Sequence, residues 1–178
     1  MLIDLNTFRR LGIANLLRVL IYRLQIKSNW FKYKLPVKPP ITGDFFSGDL
    51  VATEGAKCVN NSETLLNGEI VYFGHQLVDV GNPPNWFIGY GADDTLANEE
   101  HWSEIDDFSD GDIKIVWEAS RFHWLTLASQ GFVSTNDGTY KDLMNSWLAD
   151  WSKANPTNKG VNWKCGQEAS FRIINLII

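Results

Sequence analysis

The stretch DIKIVWEASRFHWLTLASQ, residues 112–130, decides the fold class. Ile113, Ile115, Val116, Trp117, Phe122, Trp124, Leu125 and Leu127 fall on nearly every side of a helical wheel, so their spacing predicts one long buried helix. Asp110 and Asp112 stand where a helix start has unpaired N–H groups, and Gly131 stands near its end. Glu118 and Arg121 are three apart and therefore helical neighbours. Buried charges must be paired and hydrogen-bonded or face a wet cavity. The pair therefore reads either as an internal ion pair that orients helices or as one edge of a polar cleft.

Downstream, TNDGTY makes a turn and YKDLMNSWLADWSKAN a second helix, which stops before Pro156 as a helix should. PTNKG leads to NWKCGQEASFRIINLII, residues 162–178, read as a third helix that begins at Asn162. Short connections between helices make antiparallel neighbours. Cys165, Glu168, Arg172 and Asn175 form a polar line along the third helix, with Glu168 four residues before Arg172 in the favoured order. The line is either the wet side of a peripheral helix or the wall of a cleft. At the entrance, Asn162 offers an amide that can bond sugar hydroxyls or a carboxylate, and Trp163 offers an indole. No Gly, Pro or cationic last turn follows, so the helix is expected to be cut short with its neighbours beyond Ile178.

Upstream, LPVKPPITGDFFSGD (35–49) is a connection. SETLLNG (62–68) is a short helix with Ser62 as N-cap and Gly68 past its end. EIVYFGHQLVDV (69–80) is a β-hairpin turning on the two residues Gly74 and His75. GNPPNWFIGYG is a loop, and ANEEHWSEI (97–105) a further short helix. Leu5 to Lys27 reads as an amphipathic helix with arginines interleaved, fit either to pack on the body or to lie weakly on an anionic membrane surface. The resulting divisions are 1–38, a basic helix and linker; 39–82, a connecting segment with the hairpin; and 83–178, a helical body.

The charge is uneven. Residues 1–38 hold eight Lys and Arg against one acid, and the remainder eight against twenty, so the body lacks the broad basic face of a nucleic-acid binder. Two cysteines and three scattered histidines supply neither a disulfide framework nor a metal-ligand spacing, and no cofactor motif is present. No run approaches a membrane span, and LGIANLLRVLIYRL is broken by Arg18 and Arg23 without a cleavage site after it, which points to the cytoplasm or the membrane periphery. Seven of the eight tryptophans lie from Trp86 onward, in either a core built on large rings or a sugar-stacking surface.

Several of these motifs together resemble the heparinase II/III-like polysaccharide lyases of bacteria. They are D-I-K-x-x-W-E-x-S-R at 112–121, the N-P between helices at 155–156, G-V-N-W at 160–163 followed by E-x-x-x-R at 168–172, and NPPNW at 82–86. The leading FRRLGIANLLRVLIYRL is similar to the branch linked to surface-polysaccharide gene clusters. The resemblance implies a mainly α fold: a partial α/α toroid of antiparallel helices, carrying the small hairpin near residues 69–80 and the amphipathic N-terminal helix. It also implies further toroid helices and a β-sandwich domain beyond Ile178, and cleavage of uronic-acid-containing polysaccharide by β-elimination. Catalytic motifs are expected past residue 178, which leaves open whether this chain alone is an enzyme. Trp117, Glu118, Arg121, Asn162, Trp163, Glu168 and Arg172 become candidate substrate-binding positions for an acidic polysaccharide. The competing reading is a non-catalytic helical carbohydrate-binding or scaffold module.

Overall fold

The computed structural model describes residues 5–48, 62–88, 99–106 and 113–177, with the side chains of 5–11 left out. It is mainly helical, with one small antiparallel sheet, and divides into two compact units, Met1–Val37 and Lys38–Ile178.

The first unit holds α1 (Leu5–Lys27) and α2 (Trp30–Lys34). The expected continuous helix is interrupted. Gly12 leaves helical geometry at φ 74°, ψ 153°, a conformation that costs a residue without Cβ little. Asn29, left-handed at φ 57°, turns the chain into α2, and Phe31 packs on Tyr22 with ring centroids 5.7 Å apart.

The second unit starts with α3 (Glu63–Leu66) and the hairpin β1 (Glu69–Tyr72) and β2 (Gln76–Asp79). Ser62 precedes α3, but its hydroxyl makes no capping bond and instead accepts one from the Tyr140 phenol at 3.2 Å. The register pairs Ile70 with Val78 and Tyr72 with Gln76, so three residues, not two, lie outside the ladder. Phe73 (φ 53°) and Gly74 (φ 77°) are both left-handed, the pattern of a primed turn that suits strand twist. Ile70 and Tyr72 alternate inward and join the body's core, as the period-two rule requires.

The long helix of the sequence reading is two helices, α4 (Ile113–Ser120) and α5 (His123–Thr135). The break is at Phe122, held left-handed at φ 67°. A bulky residue reaches that region only when its surroundings impose it. Here the ring is 2% exposed and packs edge-on against Trp151 at 5.0 Å and against Trp124 at 5.8 Å. Helix α6 (Thr139–Ala154) ends before Pro156. It runs antiparallel to α5: Gly131 meets Tyr140, Ser129 meets Met144 and Trp124 meets Trp147, one number rising as the other falls. A Cβ on Gly131 would lie 2.6 Å from the Tyr140 ring, so this crossing depends on glycine.

Two further expectations change. Residues 99–106 contain no helix; they form turns tied to the 158–160 loop by a His101–Lys159 bridge, the Gly160 N–H to Glu100 oxygen bond and a Lys159–Glu99 ion pair of 2.6 Å. Residues 97, 98, 110 and 112 lie outside the described set. The third helix, α7, spans only Gly166–Ile177. Asn162 and Trp163 belong to a separate 3-10 turn, Val161–Trp163, entered through left-handed Gly160, and Cys165 lies in neither element.

The core is built on large rings. Trp86, Trp124 and Trp147 surround one another at centroid distances of 5.0 to 6.4 Å. Their indole N–H groups reach Asp150, the Ala119 carbonyl and Asn82, respectively, and Trp151 reaches Ser120, so each ring is buried without stranding its donor. These four tryptophans are core residues.

Candidate functional site

Arg121, the last residue before the break at Phe122, is the centre of a polar network. Its Nε and Nη2 bond the two oxygens of Glu168 at 2.7 and 2.9 Å, the forked geometry in which Arg holds a carboxylate best. Its Nη1 donates to Glu118, one helical turn earlier. The other Glu118 oxygen accepts the Phe73 N–H of the hairpin turn at 3.1 Å. The guanidinium also stands 5.6 Å over the Phe171 ring. Glu118 and Glu168 are buried, whereas a fifth of the Arg121 side chain reaches solvent. One cation thus clamps α4, α7 and the hairpin.

Arg172, one turn beyond Glu168 on α7, builds the second half. Its guanidinium stands over both the Trp151 and Trp163 rings, 5.2 and 5.3 Å from their centroids, and Nη2 donates to the Asn162 carbonyl at 2.8 Å. Burial lowers its pKa to about 10, with Glu168 pulling the other way, so it stays cationic near neutrality. Asn162, fully buried, donates Nδ2 to Asn155 Oδ1 at 2.8 Å, and Trp163 Nε1 donates to the Asn155 carbonyl at 3.2 Å. Trp117 Nε1 donates to the Val161 carbonyl at 3.0 Å. Among the described residues, Asn162 Oδ1 and Arg172 Nη1 are buried without a hydrogen-bond partner.

The seven candidate positions therefore gather in one region. Asn162, Glu118, Glu168 and Arg172 are buried, and Trp117, Arg121 and Trp163 half-buried. Most of their polar atoms are spent on one another and on the backbone. Two carboxylates and two guanidiniums balance in charge. Neither carboxylate is free to act as a base, and a guanidinium clamped by two carboxylates has little attraction left for an anionic sugar. The arrangement is a brace. The polar line of α7 faces inward at Glu168 and Arg172, which excludes the reading of that line as a wet outer side. Asn175 continues it, with Nδ2 donating to the carbonyls of Arg121 at 2.9 Å and Phe171 at 3.1 Å.

Two members escaped the sequence reading. Asn155 is the acceptor hub of the second half; the N-P pair that contains it is read in the sequence as a helix stop and as a motif of the resemblance, without a contact for the Asn155 side chain. His123 sits exposed at the rim, Nδ1 3.2 Å from Asn175 Nδ2. Partial burial, then the Arg121 charge, lowers its pKa, so it is neutral at neutral pH.

Against the network lies a cavity of about 290 Å³; Phe45, Trp151, Trp163 and Ile173 form part of its wall, and Ser152 and Arg172 also line it while exposing little polar surface there. Sugar recognition needs polar groups around such a space, and this wall presents almost none. No family model, curated protein or solved structure matches the chain.

Proposed function

We propose that residues 83–178 are part of an α/α toroid in a heparinase II/III-like lyase of bacterial surface polysaccharide, and that this chain alone performs no turnover. The observation that carries the reading is the orientation of α7. Its charged residues are buried while Ile173, Ile174, Leu176 and Ile177 are exposed. A toroid helix has neighbours on both flanks, and an outward apolar side is what such a helix presents when one flank is open. The antiparallel α5–α6 pair and the gathering of the family-like motif residues into one brace support the same reading.

β-Elimination at a uronate needs three services: neutralisation of the carboxylate, a base for the C5 proton and an acid for the leaving oxygen. In the network described above, Arg121 is engaged by both carboxylates and the carboxylates are clamped by it, while Arg172 bonds the Asn162 carbonyl. The network's role in the reaction is to fix the wall on which the catalytic groups of later helices are aligned. The test compares the chain with a longer protein carrying the codons that follow Ile178 in its native gene. The longer protein should form unsaturated uronate, read by its ultraviolet absorbance, from at least one acidic polysaccharide, and the chain alone should form none. Product from the chain alone would refute its inactivity. A native stop codon directly after Ile178, or a longer protein inert towards every uronate polymer, would refute the lyase reading.

A further inference from the structure

After Gly12, α1 carries Ile13, Leu17, Leu20 and Leu24 at steps of four, three and four residues, the spacing of a single helix face. That face is open: the four side chains are 79, 52, 54 and 57% exposed. Ile21 widens it at 53%, and Val19 and Tyr22, 48 and 47% exposed, add apolar surface on the other sides of the helix. An exposed apolar stripe of this length marks a contact surface.

The charge around the stripe selects the partner. Between Leu5 and Gly43 there is no Asp or Glu, while Arg18, Arg23, Lys27, Lys32 and Lys34 lie along α1 and α2. A second copy of this chain would set Lys and Arg against Lys and Arg, with no acid to pair them, which disfavours a symmetric seam. An anionic lipid surface attracts each base and accepts apolar side chains below the headgroups. Aromatic residues of the type found at that boundary are present too. Trp30 is 40% and Tyr33 80% exposed on α2, which the Phe31–Tyr22 contact ties to α1. No described helix is long and apolar enough to cross a membrane, and a helix bound through this stripe would lie in the surface plane.

We infer that the α1–α2 unit docks on anionic lipid bilayers, with Ile13, Leu17, Leu20 and Leu24 inserted and Arg18, Arg23 and Lys27 at the headgroups. The inference stands independently of the lyase reading. The test is co-sedimentation of the full chain with vesicles of mixed phosphatidylcholine and phosphatidylglycerol against phosphatidylcholine alone. The chain should bind the mixed vesicles, bind the neutral ones far less, and be released by salt. The double variant Leu17→Gln, Leu20→Gln should weaken partition by about tenfold or more. Neutralising Arg18, Arg23 and Lys27 to Gln should cost about fivefold per base. These side chains are exposed and Gln is a good helix former, so circular dichroism melts should not move. No binding to mixed vesicles, equal binding to both kinds, or binding indifferent to both sets of substitutions would overturn the inference. Self-association abolished by the Leu variants, without vesicle binding, would assign the stripe to a second copy instead.

Discussion

Helices α6 and α7 are both amphipathic, and they face opposite ways. Helix α6 turns Tyr140, Leu143, Met144, Trp147, Leu148 and Trp151 inward and leaves Asp142, Ser146 and Lys153 in water. Helix α7 buries only Glu168 and Arg172 and leaves four aliphatic residues exposed. The first is held by area removed from water, which is strong and indifferent to direction. The second is held by directed charge-assisted bonds, which fix geometry but repay little of their own desolvation. An amphipathic pattern identifies two faces; which one turns inward depends on what the neighbouring elements offer. Arg121 and the carbonyl of Asn162 offer polar partners to α7, and α5 offers rings to α6.

The largest effect should come from breaking the α6 side. Trp147 has no exposed surface, packs on Trp86 and Trp124, and donates to Asn82. Trp147→Ala should cost about 3–5 kcal/mol in urea denaturation, because the cavity left among rigid rings cannot collapse. A loss below about 1 kcal/mol, the size of an ordinary substitution, would show that these rings are not the core.

On the α7 side, Arg121→Met should cost about 2–3 kcal/mol, somewhat less than a fully buried pair because the arginine is partly wet. The loss arises from Glu118 and Glu168, left buried without the guanidinium that bonds them both. Adding Glu118→Gln and Glu168→Gln removes both stranded charges, and the triple variant should recover a good part of the loss. If the triple variant were less stable than the single one, the network would be worth more than its desolvation, and the contrast between the helices would fail. The same comparison separates a brace from a substrate site, since a site evolved for ligand contact tolerates loss of its charges with little effect on folding.

What the sequence made legible follows the same division. The extent of α6, its stop before Pro156 and the inward rings all follow from periodicity and local rules. The hairpin was legible for the same reason, although its third loop residue was hidden, because Phe73 is an uncommon residue to find left-handed. The break at Phe122 was invisible: nothing local disfavours a helix through Arg121–His123, and only the ring's burial against Trp151 imposes the left-handed turn. The helix expected at 97–105 failed where it is described, because the 158–160 loop supplies partners that compete with helical ones. The candidate site was legible as a set of residues, since buried charge at helical spacing is conspicuous. Its role was not, because spacing shows that Glu118 and Arg121 are neighbours but cannot show Glu168 arriving from 47 residues away.

The smallest effect on folding should follow substitution at Ile174 and Ile177, and it bears most directly on the comparison. Both side chains are at least half exposed on α7. The double variant Ile174→Gln, Ile177→Gln removes apolar surface that folding of this chain leaves at least half exposed. Its stability should therefore stay within about 0.5 kcal/mol of the parent, the range of an ordinary surface change. Its solution behaviour should change more: light scattering should show less self-association, since the exposed aliphatic side is the adhesive part. A stability loss comparable to that of Arg121→Met would mean that the aliphatic side is held inward, and α7 would then be an ordinary helix like α6. Unchanged stability together with unchanged association would mean that the exposed side is inert in water, which would remove the physical reason for assigning it a neighbour in the proposed toroid.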